Sequence, residues 1–190
     1  MRRTDRKSSS ALKKISLVLV LAITLSFTAL CFSSCGDDVE YENITYRENG
    51  IEFFLPNSMR RFNEEGYDFY FSNMAAGVIF TALKLDQEFL ESIDIEYGIT
   101  AEAYANEVIS RNGMEKDKLY YNYDERRNHY NFRYSYVDQN DISVFYYIVI
   151  TGEPDNLWYI EMCCEEEQSS DYLSTFEVWK KNIKTYSIES

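Results

Sequence analysis

The chain has one histidine, His129, so a nucleophilic triad or a His-rich metal site would depend on it alone. It falls at the end of the polar stretch Glu125-Arg126-Arg127-Asn128-His129, between two strand-like runs, and is expected there as a solvated turn residue. Carboxylates are far more plentiful. Asp86, Glu88, Glu91, Asp94 and Glu96 crowd one stretch, and Glu165, Glu166 and Glu167 another. Paired carboxylates hydrolyse glycosidic bonds, and clustered oxygens bind calcium. No spacing singles out a pair, and no EF-hand pattern with its central glycine occurs, so solvated charge is the simpler expectation. Walker-type loops, dinucleotide-binding glycine runs and HExxH are absent from the sequence. Cys163 and Cys164 adjoin in a strand-like run, where neighbouring side chains point to opposite faces. That geometry opposes a disulfide between them, and both are expected as small buried hydrophobes. No catalytic residue, metal ligand or cofactor is assigned on these grounds.

The cysteine with a chemical context is Cys35. Arg2, Arg3, Arg6, Lys7, Lys13 and Lys14 form a basic head, and Ile15 to Phe32 is an uncharged, mainly apolar run of 18 residues. Ser33-Ser34-Cys35-Gly36-Asp37-Asp38 follows. Basic head, apolar middle and small residues before a break make a secretory signal. Small residues directly before a cysteine resemble the lipobox of bacterial lipoproteins. That resemblance implies cleavage before Cys35 and a diacylglyceryl group on its sulfur. Phe32 departs mildly from the usual leucine, and Cys31 is disfavoured because bulky Leu30 precedes it. An uncleaved membrane-spanning anchor is the alternative, since 18 residues lie at the low end of a spanning helix.

The expected organisation is a signal peptide over 1–34, lipidated Cys35 and an acidic tether over 35–43, and one globular domain over 44–190. The 156 residues from Cys35 onward are enough for one core. The leader takes six basic residues and one acid, and the remainder sets 13 basic residues against 31 acidic ones, a net charge of −18. Such a surface repels nucleic acid and anionic lipid headgroups, so no nucleic-acid partner is expected. Two acyl chains on Cys35 would hold the domain at a membrane, which a single chain does only marginally.

Periodicity supplies the elements. Ile44–Arg47 and Ile51–Leu55 read as strands around Glu48-Asn49-Gly50, a hairpin signal, with Pro56 closing the second. Met59–Gly66 reads as loop, and Tyr67–Phe71 and Gly77–Leu85 as strands. Asp86–Tyr97 suggests a helical turn around Phe89, Leu90 and Ile93. Thr100–Arg111 reads as a helix capped by Thr100 and ended by Asn112-Gly113, with Ala101, Tyr104, Ala105, Val108 and Ile109 on its apolar face. Leu119–Asp124, Tyr130–Asp138, Ile142–Thr151 and Leu157–Cys164 then form an antiparallel meander with short polar loops. The last two strands read as apolar on both faces, as in a sheet covered from both sides. In the closing helix, Tyr172, Phe176, Trp179 and Ile183 share a stripe. Ser170 is its expected cap, and Lys180 is expected on the exposed side. The chain carries 17 tyrosines, many in the meander, which suit either an aromatic-rich core or a tyrosine-lined binding face.

This order of elements resembles the PsbP-like superfamily over roughly Tyr46–Ile188. Gly50-Ile51-Glu52-Phe53-Phe54-Leu55-Pro56 is similar to its opening strand and proline. Ile99-Thr100-Ala101-Glu102-Ala103-Tyr104-Ala105 is similar to its first helix. Trp158-Tyr159-Ile160 with Phe176, Trp179 and Ile183 is similar to its last strand and closing helix. Met59 stands near where relatives often carry tryptophan. The resemblance implies an α+β fold: an antiparallel sheet of about six or seven strands, flanked by helices on both faces as an α/β/α sandwich. It also implies action by binding proteins or stabilising assemblies rather than by catalysis. The expected function is a lipid-anchored extracytoplasmic binding or accessory module at the bacterial cell envelope, with a membrane contact through Cys35 and a protein partner. A small envelope hydrolase using paired carboxylates, or a ligand-binding lipoprotein, is the alternative.

Overall fold

The computed structural model describes residues 42–137 and 141–187. The leader, Cys35 and nearly all of the tether therefore lie outside the described residues. Among the described residues, two sheets and three α-helices form. β1 (Asn43–Glu48) and β2 (Ile51–Pro56) pair antiparallel, and β10 (Lys184–Thr185) joins the other side of β2. The larger sheet has seven strands: β3 (Arg60–Phe62), β4 (Phe69–Asn73), β5 (Val78–Lys84), β6 (Tyr120–Asp124), β7 (His129–Val137), β8 (Ser143–Thr151) and β9 (Trp158–Glu165). Their order is 3-4-5-9-8-7-6, antiparallel throughout. Helices α1 (Gln87–Ser92) and α2 (Ala101–Arg111) lie in the crossover from β5 to the β6 edge, and α3 (Ser169–Asn182) follows β9. The expected α+β architecture holds, with helices on both faces of the larger sheet and the small sheet sharing the α3 face.

Local chemistry explains these elements. Asn49 and Gly50 both take positive φ, 56° and 91°, the pairing a type I′ hairpin turn needs. Asp86 caps α1 by accepting from the Phe89 amide at 2.8 Å, and Thr100 caps α2 by accepting from Ala103 at 3.3 Å. The stretch read as loop after Met59 contains β3, whose Arg60-Arg61 hides a strand too short to show periodicity. Ser170 lies within α3 and does not cap it. The helix begins a residue earlier, after Gln168, which offers no side-chain cap bond. The helix also ends at Asn182, so Ile183 packs from the C-cap position.

Because β5, β8 and β9 are covered on both sides, each supplies two cores. One core lies under α1 and α2 and takes Ile79, Leu83, Tyr146, Ile148, Ile150 and Tyr159 from the sheet, with Leu90, Tyr104, Ala105 and Ile109 from the helices. The other lies under α3 and the small sheet. There the Phe53 ring packs tilted against Phe80 with centroids 4.8 Å apart, and Phe80 meets Trp179 edge-on at 6.2 Å. Phe176, Trp158 and Ile183 complete it, so Phe176 and Trp179 are buried as the helical spacing predicts. Cys163 faces the first core and Cys164 the second, both free and buried, as alternation along a strand requires.

Candidate functional site

Antiparallel register places residues from several strands in one row across the sheet. Tyr70, Thr81, Glu161, Ile148, Phe132 and Tyr121 are successive partners from β4 to β6, on the face beneath α1 and α2. Glu161 is the one acid in that row and is only 3% exposed. The Tyr159 hydroxyl lies 3.3 Å from its Oε2. Burial pushes the Glu161 carboxyl up to about 7, against the lowering by that single hydrogen bond. It lines a cavity of about 40 Å³ together with Leu83, Phe89, Ile95, Tyr104, Val108 and Arg111, among others. Glu107 also lines it but is paired with Arg111 Nε at 2.5 Å. The Leu157–Cys164 strand reads as apolar on both faces, and Glu161 departs from that pattern. The available signal was a lone acid at an interior position of an apolar strand.

His129 is not a solvated turn residue. It opens β7, is 1% exposed, and lies against the Ile183 backbone. Burial pushes its pKa down to about 4, so the ring is neutral at physiological pH. The reason lies in its register opposite Thr151, under the end of α3. Lys180 is also buried, at 5% exposure, rather than exposed. Its Nζ lies 2.7 Å from Glu177 Oε2, and Glu177 Oε1 accepts from the Tyr147 hydroxyl at 2.7 Å. Tyr147 also lies 3.3 Å from Asn131 Oδ1, so a polar chain ties α3 to β8 and β7.

The acids named from sequence do not converge. Asp86 caps α1, Glu91 accepts from Gln87 at 2.7 Å, and Glu166 accepts from Ser135. Among the described residues, no three His, Cys, Asp or Glu side chains lie together so as to hold a metal ion. No described helix is long and apolar enough to cross a membrane.

The tyrosines divide between core and surface. Tyr104, Tyr130, Tyr146, Tyr147 and Tyr159 are buried, whereas Tyr120, Tyr123 and Tyr136 are exposed. These three gather at one edge of the larger sheet, apart from exposed Tyr97 in the loop after α1. β6 is the outermost strand, and it pairs only with His129–Arg133 of β7. Beyond that, Tyr134–Val137 are bonded to β8 on one side and, among the described residues, to no strand on the other. Tyr136 and Val137 are 54% and 55% exposed on this step. Tyr120 stands at its corner, under the Arg133 guanidinium at 3.4 Å. The opposite edge, β3, is three residues long and carries Arg60 and Arg61. Short, basic edges discourage strand addition. The β6–β7 edge has neither lysine nor proline.

No family model and no curated protein matches the chain. Solved structures do. A cyanobacterial PsbP from Synechocystis superposes with a TM-score of 0.56 at 14% identity, over 81% of this chain and 98% of that one. The chain has the PsbP-like fold. A Ran-binding protein of Saccharomyces cerevisiae aligns over 77% of this chain and 96% of its own, at 9% identity and a TM-score of 0.49. LpqN of Mycobacterium tuberculosis, described as involved in cell envelope biogenesis, aligns over 79% and 94%, at 11% identity and a TM-score of 0.42. At these identities the likeness concerns the PsbP-like fold and not the activity.

Proposed function

We propose that this PsbP-like chain is an accessory binding module of the bacterial cell envelope, anchored through lipid on Cys35, that engages a protein partner at its β6–β7 edge. The observation that carries the reading is the step at Tyr134–Val137. There an antiparallel ladder stops short and leaves strand backbone beside exposed aromatic side chains. An extended segment of a partner would add to such an edge through main-chain hydrogen bonds, with its side chains against Tyr120 and Tyr136. The anchor rests on the leader and on the small residues before Cys35.

The carboxylate hydrolase is the weaker reading. Glu107 and Glu161 do line one concavity. However, Glu107 is paired with Arg111, and about 40 Å³ is far below the several hundred Å³ typical of ligand pockets.

Affinity capture from detergent-solubilised membranes tests the proposal, with the native chain compared against Tyr120→Lys/Tyr136→Lys. Both positions are exposed, but a lysine at 120 faces the Arg133 guanidinium, so the variant should lose about 1 kcal/mol at most and stay folded. The expected result is a reproducible partner held by the native chain and lost from the variant. An intact domain that recovers no partner, or a partner held equally by both, would sink the reading.

A further inference from the structure

The cavity beneath α1 and α2 contains a carboxyl that the fold leaves without a counter-ion. Glu161 rises from the middle of β9 into a cavity lined mainly by aliphatic and aromatic side chains, and its partner is a neutral phenol, Tyr159. No cationic side chain acts on it. Leaving an ionisable group so buried is costly, and an aliphatic residue would complete the wall that Ile148 and Phe132 continue. Arg111, the cation in the lining, is already engaged. Its Nε donates to Glu107, and its terminal nitrogens donate to the carbonyls of Ile93 at 2.5 Å and Asp94 at 3.4 Å. Two acids and one cation in the lining sum to a single negative charge when both acids are ionised. Apart from the Asn112 amide the rest is aliphatic and aromatic, and tyrosine ring faces attract cations.

We propose that this cavity is a binding site for a small primary alkylammonium ion, with its ammonium on the Glu161 carboxylate and its short alkyl chain against Leu83, Ile95 and Val108. The monocation neutralises the lining, and ionised Glu161 accepts charge-assisted hydrogen bonds that Tyr159 alone does not supply. A volume of about 40 Å³ has room for only a few water-sized groups, which favours short, unbranched chains. The site lies beneath the helices, away from the β6–β7 edge, and stands or falls independently of partner binding there.

The test is calorimetric titration of the full-length chain in detergent at pH 8, where Glu161 is mostly ionised. The probe is n-propylammonium chloride, with n-propanol and potassium chloride as controls. Saturable binding of propylammonium is expected, with no binding of either control. Glu161→Gln should weaken binding about tenfold or more, the loss of one charge-assisted contact. Val108→Phe, which fills the cavity and leaves Glu161 in place, should do the same. Absence of binding to the native chain, equal binding of propanol, or undiminished binding by Glu161→Gln would each overturn the proposal.

Discussion

Asn156 and Gly50 lie against each other where the two sheets meet. Asn156 Nδ2 donates to the Gly50 carbonyl at 2.9 Å and to the Tyr186 carbonyl at 3.1 Å, while its Oδ1 accepts from Trp158 Nε1 at 3.0 Å. One side chain in the β8–β9 loop thus satisfies the β1–β2 turn, the segment after β10 and a core indole. Asn156→Ala removes three partners at once. Partly buried groups left unpaired cost about 1–3 kcal/mol each, with some recovered by water. The variant should lose about 2–4 kcal/mol, read as a lower urea midpoint. A midpoint equal to the native one would show that the two sheets are not held together here.

Trp179 and Lys180 are neighbours in α3 that both face inward, for different reasons. Trp179→Ala empties the centre of the aromatic core and should cost about 3–5 kcal/mol, a large share of a domain's 5–15 kcal/mol. Lys180→Ala leaves Glu177 without its 2.7 Å partner and should cost about 1–3 kcal/mol. Equilibrium unfolding of both variants checks this. An effect of Lys180→Ala below about 0.5 kcal/mol, typical of a surface change, would contradict the buried pair.

Glu161 and His129 make opposing demands on pH. The Glu161 carboxyl is held up to about 7 from 4.5. As pH rises through that window, unfolded chains lose a proton that the folded protein keeps, and stability falls by about 3 kcal/mol. His129 is held down to about 4 from 6.5. As pH falls through that window, unfolded chains gain a proton that the folded protein refuses, and a similar amount is lost. Asp124 and Glu177, both held below their usual values, cost stability only at more acidic pH. Between pH 4.5 and 6.5 the two main slopes nearly cancel in the native chain. Glu161→Gln should therefore leave stability that drops toward acid, and His129→Gln stability that drops toward neutrality. Urea unfolding at several pH values separates them, and parallel profiles for the two variants would refute this account.

For the proposed anchor, Cys35→Ala should abolish incorporation of labelled fatty acid and leave an unprocessed precursor. Normal labelling of the variant would move the lipid to another residue.

Most elements and their order are legible in the chain, β3 and β10 excepted. The spacing of Tyr172, Phe176 and Trp179, the cap at Thr100, and Asn49-Gly50 all act between residues close along the chain. Local geometry is therefore legible in local pattern. Which polar residues are buried depends instead on segments that meet only in the folded chain. Lys180 lies four residues after Phe176, on the inward side of the helix. Its charge argued for solvent until Tyr147 and Glu177 were brought over it from β8 and from the previous turn of α3. His129 follows a polar run and looked like part of the turn, but Ile183, 54 residues later, closes over it. Glu161 has apolar neighbours on both sides in sequence, and only the docking of α1 and α2 makes its side of β9 a cavity wall. The uncovered step at Tyr134–Val137 likewise follows from β6 being shorter than β7. Burial is set by what packs above a residue, and that comes from chain segments whose distance in sequence carries no local periodic trace.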